Sequence, residues 1–191
     1  MESKTSFCNS QSLHCAIIGS SGTGKSSFVN TIRGLTCQDI NAAKVDVVEC
    51  TTRPTLYTDR KNPSLNYWDL PGVGTPNFPK ETYLSQINFE RYNFFLIITA
   101  TRFTENDIWL ASQVKKAGRS FFFIRTKIDI DLWNKKRCCS RYNESATLKE
   151  IRDDCLKKLR ADFHVPVVFL ISNFHPEKYD FPDLCLNLRQ I

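Results

Sequence analysis

The sequence predicts an α/β fold, a mostly parallel, doubly wound sheet with helices on both faces. Two observations lead to it. Short apolar runs recur at Leu13–Ile18 and at residues 94–98, 121–124 and 165–171, and they do not alternate, as expected of strands covered on both sides. Between them lie stretches of helical period, and strands alternating with helices argue for a parallel sheet.

The elements follow in order. After the first strand, Ser26 to Ile32 reads as a helix stopped by Gly34 at its C′ position. Residues 35–65 carry the weakest periodicity and are expected to be mobile. Tyr67-Trp68 marks a strand end. Thr104-x-x-Asp107 opens a helix carrying Ile108, Leu110, Ala111 and Val114, with Gly118 just past its end. Thr147-x-x-Glu150 reads as a capping box before Leu148, Ile151, Cys155, Leu156 and Leu159, spaced at three and four. From Pro182 to Ile191 the chain supplies Leu184, Leu186 and Leu188 but only about three helical turns. Residues 1–12 read as a flexible N-terminal tail and 13–191 as one domain, a size that folds without staples.

Composition bounds the function. A hydrophobic content of 41% and a charged content of 24% are those of an ordinary globular protein. The formal net charge of +6 reads as a solvated surface with a modest Lys and Arg excess; attraction to phosphates or anionic lipid is the other reading, and no nucleic-acid partner is expected. There is no run of about 18 apolar residues and no signal-peptide stretch, and Glu2 stands where N-myristoylation takes Gly. Eight cysteines occur without a CxxC; Cys15 and Cys155 fall on apolar faces as small hydrophobes, the pattern of a reducing, cytoplasmic setting. The adjacent Cys138-Cys139 reads as two free thiols in a loop, with palmitoylation or redox sensing as other readings.

Gly19-Ser20-Ser21-Gly22-Thr23-Gly24-Lys25-Ser26 fits G-x-x-x-x-G-K-[ST], placed after an apolar strand and before a periodic helix. Gly19, Gly22 and Gly24 let backbone N–H groups turn inward around phosphates. Lys25 adds a point charge at the β/γ-phosphates, Ser26 offers a hydroxyl to Mg²⁺, and Ser27 continues the helix N-terminus that faces the same anion. Asp69-Leu70-Pro71-Gly72 supplies a carboxylate that can hold Mg²⁺ through water and a glycine N–H for the γ-phosphate. Taken alone, that D-x-x-G is also a common turn.

After residues 121–124 comes Thr126-Lys127-Ile128-Asp129. The Asp129 carboxylate can accept from guanine N1–H and the exocyclic amine, a donor pair that adenine lacks. Lys127 can lay its stem across the base. Ser172-Asn173 is a candidate loop for the guanine O6 edge, or, read by itself, a polar turn before His175-Pro176. The order P-loop, DxxG, TKxD, Ser-Asn, each at a strand's C-terminal end, narrows the fold to a Ras-like P-loop NTPase G domain. An ATPase or kinase would leave Asp129 without a task.

The stretches at residues 16–30 (AIIGSSGTGKSSFVN), 68–83 (WDLPGVGTPNFPKETY), 100–107 (ATRFTEND), 123–129 (FIRTKID) and 170–182 (LISNFHPEKYDFP) resemble the immunity-related, interferon-inducible GTPases. The resemblance covers residues 13–191. It implies GTP and GDP as ligands with Mg²⁺, with Lys25 and Ser26 as the phosphate and Mg²⁺ residues. It further implies GTP-dependent homodimers, or heterodimers with related GTPases, across the nucleotide face. It places the protein in the cytoplasm and peripherally on internal or pathogen-containing vacuole membranes in cell-autonomous innate immunity. By the same resemblance Glu49 aligns with a switch glutamate implicated in hydrolysis and Arg102 with the dimer face. Read from the residues alone, Glu49 is an edge-strand carboxylate and Arg102 a solvated loop charge.

Val73 follows Gly72 where Ras-like GTPases carry a water-orienting Gln, so monomeric turnover is expected to be slow. The family flanks its G domain with helical segments, which this chain is expected to lack. Two functions stand: a slow GTPase accelerated by dimerisation, and a truncated nucleotide-binding module that pairs with longer relatives without useful turnover.

Overall fold

The computed structural model describes residues 12–46, 51–160 and 167–191. In chain order these form β1 (Leu13–Ile18), α1 (Lys25–Ile32), β2 (Thr55–Thr58), β3 (Leu65–Asp69), α2 (Lys80–Gln86), a 3₁₀ turn (Phe89–Arg91), β4 (Phe94–Ala100), α3 (Glu105–Lys116), β5 (Ser120–Thr126), α4 (Ile128–Cys138), α5 (Glu144–Arg160), β6 (Val168–Leu170) and α6 (Phe181–Leu188). The six strands make one sheet in the order β2-β3-β1-β4-β5-β6. Only β2 runs antiparallel, to β3; every other pair is parallel.

The apolar runs are continuous because successive residues feed two cores. On β1, Ala16 and Ile18 join the core under α3 and α5, while Cys15 and Ile17 join the core under α1 and α6. On β4, Phe95 and Ile97 go to the first and Phe94, Leu96 and Ile98 to the second. A sheet sandwiched between helix layers has no polar face to write into its strands. Phe28 and Val29 of α1 and Leu184 and Leu188 of α6 close one side; Leu110, Ala111 and Val114 of α3 and Cys155 and Leu159 of α5 close the other.

Helix starts follow side-chain chemistry. Asp107 reaches back from the first turn of α3, and its Oδ2 accepts from Thr104 N–H at 2.7 Å, Thr104 Oγ1 at 2.8 Å and Thr99 Oγ1 at 3.0 Å. The start expected at Thr147 is displaced: α5 begins one turn earlier at Glu144, because Asn143 Oδ1 accepts from Ala146 N–H at 2.8 Å. Thr147 instead donates its hydroxyl to the Asn143 carbonyl at 2.8 Å, from inside the helix. Cys138 also differs from expectation. It ends α4 rather than lying in a loop, because the helix begun at Ile128 runs three turns; both Cys138 and Cys139 are free.

The described residues between 35 and 65 hold more order than their periodicity predicts. β2 is built on β3, and the buried Asn30 of α1 clips the backbone of Ala43 from both sides. Its amide donates to Ala43 O at 2.9 Å and its Oδ1 accepts from Ala43 N–H at 2.6 Å. Arg33 adds bonds to the Asn41 and Thr58 carbonyls. Such tertiary ties leave no period in the sequence. Residues 1–11, with most of the expected tail, lie outside the described residues, as does the start of the run at 165–171. Among the described residues no helix is long and apolar enough to cross a membrane.

Thr104→Ala removes a cap hydroxyl and should lower stability by about 1 kcal/mol, a fall in Tm of about 2–4 °C for a domain of this size. Asp107→Ala should cost more, because it strands three donors at once. Thermal melts of both variants check the order; equal losses would show that the Thr104 hydroxyl supplies all of the effect.

Candidate functional site

Five loops leave the carboxyl edge of the parallel strands and meet there, the place where open α/β sheets bind ligands. The first, residues 19–24, joins β1 to α1. At Gly19 (φ 152°) a Cβ would collide with the Ile98 carbonyl of β4, so only glycine lets the chain leave the sheet that closely. Lys25 is almost fully buried in its own loop, its Nζ donating to Ser20 O at 2.8 Å and Gly19 O at 3.2 Å. A flexible ammonium folded back on two carbonyls can exchange them for an anion.

The second loop continues β3. Asp69, 2% exposed, accepts on Oδ2 from Ser26 Oγ at 2.6 Å and Thr51 Oγ1 at 3.3 Å, while its Oδ1 is buried without a hydrogen-bond partner. Burial raises its pKa above the ordinary 3.8, against the lowering pull of Ser26, the Lys25 charge and Thr51. Gly72 lies against the phosphate loop, where a Cβ would come within 2.7 Å of Ser21 N. Tyr83 holds this turn by donating to the Pro71 carbonyl at 2.9 Å. Val73 turns the other way. It is buried in the core and bridges to Ser20 through its backbone, so its side chain does not reach the site.

On the opposite side, Lys127 caps α4 with φ 61° and stretches its Nζ to the Gly22 carbonyl at 2.9 Å, spanning the gap between base loop and phosphate loop. Asp129, half-buried in the first turn of α4, accepts no hydrogen bond from the described residues. Asn173 donates to Gly24 O at 3.0 Å and keeps Oδ1 buried and unpartnered.

Between these groups lies a cavity of about 510 Å³, lined among others by Gly22, Gly24, Lys25, Ser26, Ser27, Gly72, Lys127, Asp129 and Asn173. That size suits a cofactor-sized ligand. Asp69 stands just behind Ser26. Thr126 and Ser172 stand behind the wall rather than on it. Thr126 is fully buried and donates to Thr23 O at 2.7 Å and Thr99 O at 3.1 Å, tying the phosphate loop to β4. Ser172 accepts from Phe174 N–H at 3.2 Å and shapes its turn. Arg102 is exposed in the loop after β4 and does not line the cavity, and Glu49 lies outside the described residues.

The cavity also enlists residues the motifs did not point to. Thr51 joins Ser26 and Asp69, its hydroxyl 3.3 Å from each. Its sequence signal is only a hydroxyl placed after Val48-Glu49-Cys50. Lys44 and Val45 line the mouth because Asn30 fastens Ala43 beside them, and Ile130 and Phe174 complete the base side. No periodicity marks these four.

A lysine folded into the loop after β1, a strand-end acid beside its serine and a second acid on the cavity at the carboxyl edge of the sheet are the layout of a G domain. The sequence model of the interferon-inducible GTPases matches residues 2–190, and the chain belongs to that family. It is 45% identical over 174 residues to mouse (Mus musculus) interferon-gamma-inducible GTPase 10, covering 90% of this chain and 42% of that protein. Mouse T-cell-specific guanine nucleotide triphosphate-binding protein 2 is 44% identical over 180 residues, covering 93% and 43%. The chain thus spans less than half the length of these relatives. Among solved structures, NFeoB from S. thermophilus bound to GDP.AlF4⁻ and K⁺ superposes with a TM-score of 0.60 at 20% identity over 92% of this chain and 60% of that one, a likeness of fold.

The buried Asp69 yields a test. Its folded pKa stands above 3.8, so the folded state holds the proton more tightly than the unfolded chain. Stability therefore falls as pH rises from that value through the folded one, and at neutral pH the carboxylate costs the ligand-free fold. Asp69→Asn keeps an acceptor for Ser26 and removes the charge. The ligand-free variant should melt higher at pH 7, by about 2–4 °C for each kcal/mol relieved. A lower melting temperature in calorimetry would show that Ser26, Thr51 and Lys25 more than offset the burial.

Proposed function

We propose that this chain binds GTP and GDP with Mg²⁺ and hydrolyses GTP to GDP and phosphate, slowly as a single molecule. The observation that carries the reading is that Lys25 and Asp129 line the same cavity, one suited to phosphates and the other, which accepts no hydrogen bond from the described residues, to the guanine edge. Lys25 exchanges its two carbonyl partners for β/γ-phosphate oxygens, and the inward N–H groups of residues 20–25 share the remaining charge. Asp129 accepts from guanine N1–H and the exocyclic amine. Lys127, bridging to Gly22, covers the base with its stem. The Gly72 N–H faces the terminal phosphate.

The donor set fits Mg²⁺. Ser26, Thr51 and Asp69 are hard oxygen groups, and the unpartnered Asp69 Oδ1 is a buried acceptor without a donor. Ser26 and Thr51 would hold the ion, with Asp69 acting through water, and the ion would supply charge to offset that developing on the phosphates.

Nothing polar from Val73 can orient a water, so rate must come from elsewhere. Pairing of two nucleotide faces supplies it in our reading. Glu49 belongs to the segment beside Thr51, and Arg102 meets the partner, either a second copy or a related GTPase. Family membership supports a role in innate immunity; in our reading that role is cell-autonomous and is exercised from the cytoplasm and peripherally on internal membranes. The burial of Val73 also favours a second reading, a regulatory module that holds nucleotide and pairs with longer relatives without useful turnover.

Asp129→Asn should exchange GTP preference for XTP, since the amide offers a donor where xanthine carries a carbonyl. Competition between the two nucleotides checks it; a variant that still prefers GTP would remove Asp129 from base reading. Turnover per molecule should rise with protein concentration, by up to roughly 10³-fold if help arrives in trans, and Arg102→Ala should flatten that rise. Slow turnover that is constant across concentrations would favour the regulatory module.

A further inference from the structure

The acid assigned to the base sits on a helix with little of its own to hold it. α4 starts from Lys127 in a left-handed conformation without a capping side chain, and its buried residues are Ile128 and Leu132 alone. Ile128 N–H reaches Ile171 O at 3.2 Å, and the N–H groups of Ile130 and Asp131 bond back to Lys127 O at 3.1 and 3.2 Å. Besides these, Lys127 Nζ reaches Gly22 O at 2.9 Å and Lys135 Nζ reaches Glu150 of α5 at 3.4 Å, so these side-chain ties of α4 lie at its cap and its far end.

A part-buried ion pair fixes the first turn between them. Arg125 Nη2 lies 2.6 Å from Asp131 Oδ2, and Arg125 is 6% exposed. Arg125 belongs to β5, paired on both sides by β4 and β6, and its carbonyl accepts from Ile171 N–H at 2.8 Å. Its guanidinium also acts electrostatically on Asp107 of α3, whose Oδ2 is already committed to Thr104 and Thr99. The cation is thus anchored to a strand paired on both sides, and the helix is fastened to it.

Residues two apart on a helix point about 200° from each other. Holding Asp131 inward against Arg125 therefore turns Asp129 outward to the cavity it lines. We propose that Arg125, through its ion pair with Asp131, is the positioning residue for base recognition: the pair sets the angle at which Asp129 meets the guanine edge. The inference rests on the guanine-nucleotide reading above. Hydrogen bonds weaken steeply when misaligned, so a rocked first turn loses discrimination at the 2-amino group before it loses grip on the phosphates.

Binding of GTP and of ITP, which lacks that amine, separates a positioning role from a purely structural one. The wild-type protein should bind GTP more tightly than ITP, and Asp131→Asn should compress the preference about tenfold. kcat at saturating GTP should stay within about twofold, since the P-loop still holds the phosphates. Arg125→Lys keeps the charge but offers one donor in place of a fork, and should give intermediate discrimination with less disturbance of the fold. If either variant weakens GTP and ITP equally, leaving their ratio intact, the pair only stabilises the domain and the proposal is overturned. Wild-type protein that binds neither nucleotide would instead overturn the guanine reading itself.

Discussion

The parallel register of β1 and β3 is the constraint on which the site depends. It sets Ile17 opposite Asp69, so the phosphate loop and the strand-end acid leave the sheet side by side. A slip of one residue would reverse which face every β3 side chain serves and would carry Asp69 away from Ser26. That register is secured by burial: all five residues of β3 are buried, and Tyr67 and Trp68 feed opposite cores. Close approach then becomes a requirement at Gly19 and Gly72, whose missing Cβ atoms leave room for backbone.

Around that frame the loops are tied by buried polar groups. Thr126 joins the phosphate loop to β4, and Thr99 joins β4 to Asp107 at the start of α3. Arg125, next to Thr126 in the chain, carries the connection to α4. Such networks are worth most when every member is satisfied. Among the described residues the unsatisfied buried side-chain atoms are Asp107 Oδ1, Arg119 Nε and Arg125 Nε and, at the ligand edge, Asp69 Oδ1 and Asn173 Oδ1. A fold that leaves buried acceptors open beside a cavity is less stable empty than filled, which links the chemistry of binding to the stability of the domain.

The fold was legible because a sheet covered on both faces must write continuous apolar runs, and the P-loop, DxxG and TKxD spacings mark their carboxyl ends. α2 and β2 were not legible. Each is short, and β2 owes its form to pairing with β3 and to Arg33. The start of α5 was misplaced because two polar residues, Asn143 and Thr147, both look like caps, and in the fold Asn143 takes the cap while Thr147 bonds to its carbonyl from inside the helix.

The sequence by itself determined which groups could grip a phosphate and read a base: Lys25, Ser26, Asp69, Lys127 and Asp129 are specified by type and spacing, since each motif is local and its backbone geometry follows from a few glycines and one strand end. Only the tertiary structure decided which of them face the cavity. Thr126 and Ser172 belong to the motifs yet brace the wall from behind, whereas Thr51, Lys44 and Phe174 belong to no motif and line it. The physical reason is distance along the chain. Contacts between residues far apart depend on how strands register and helices lean, and no local pattern of residues records that.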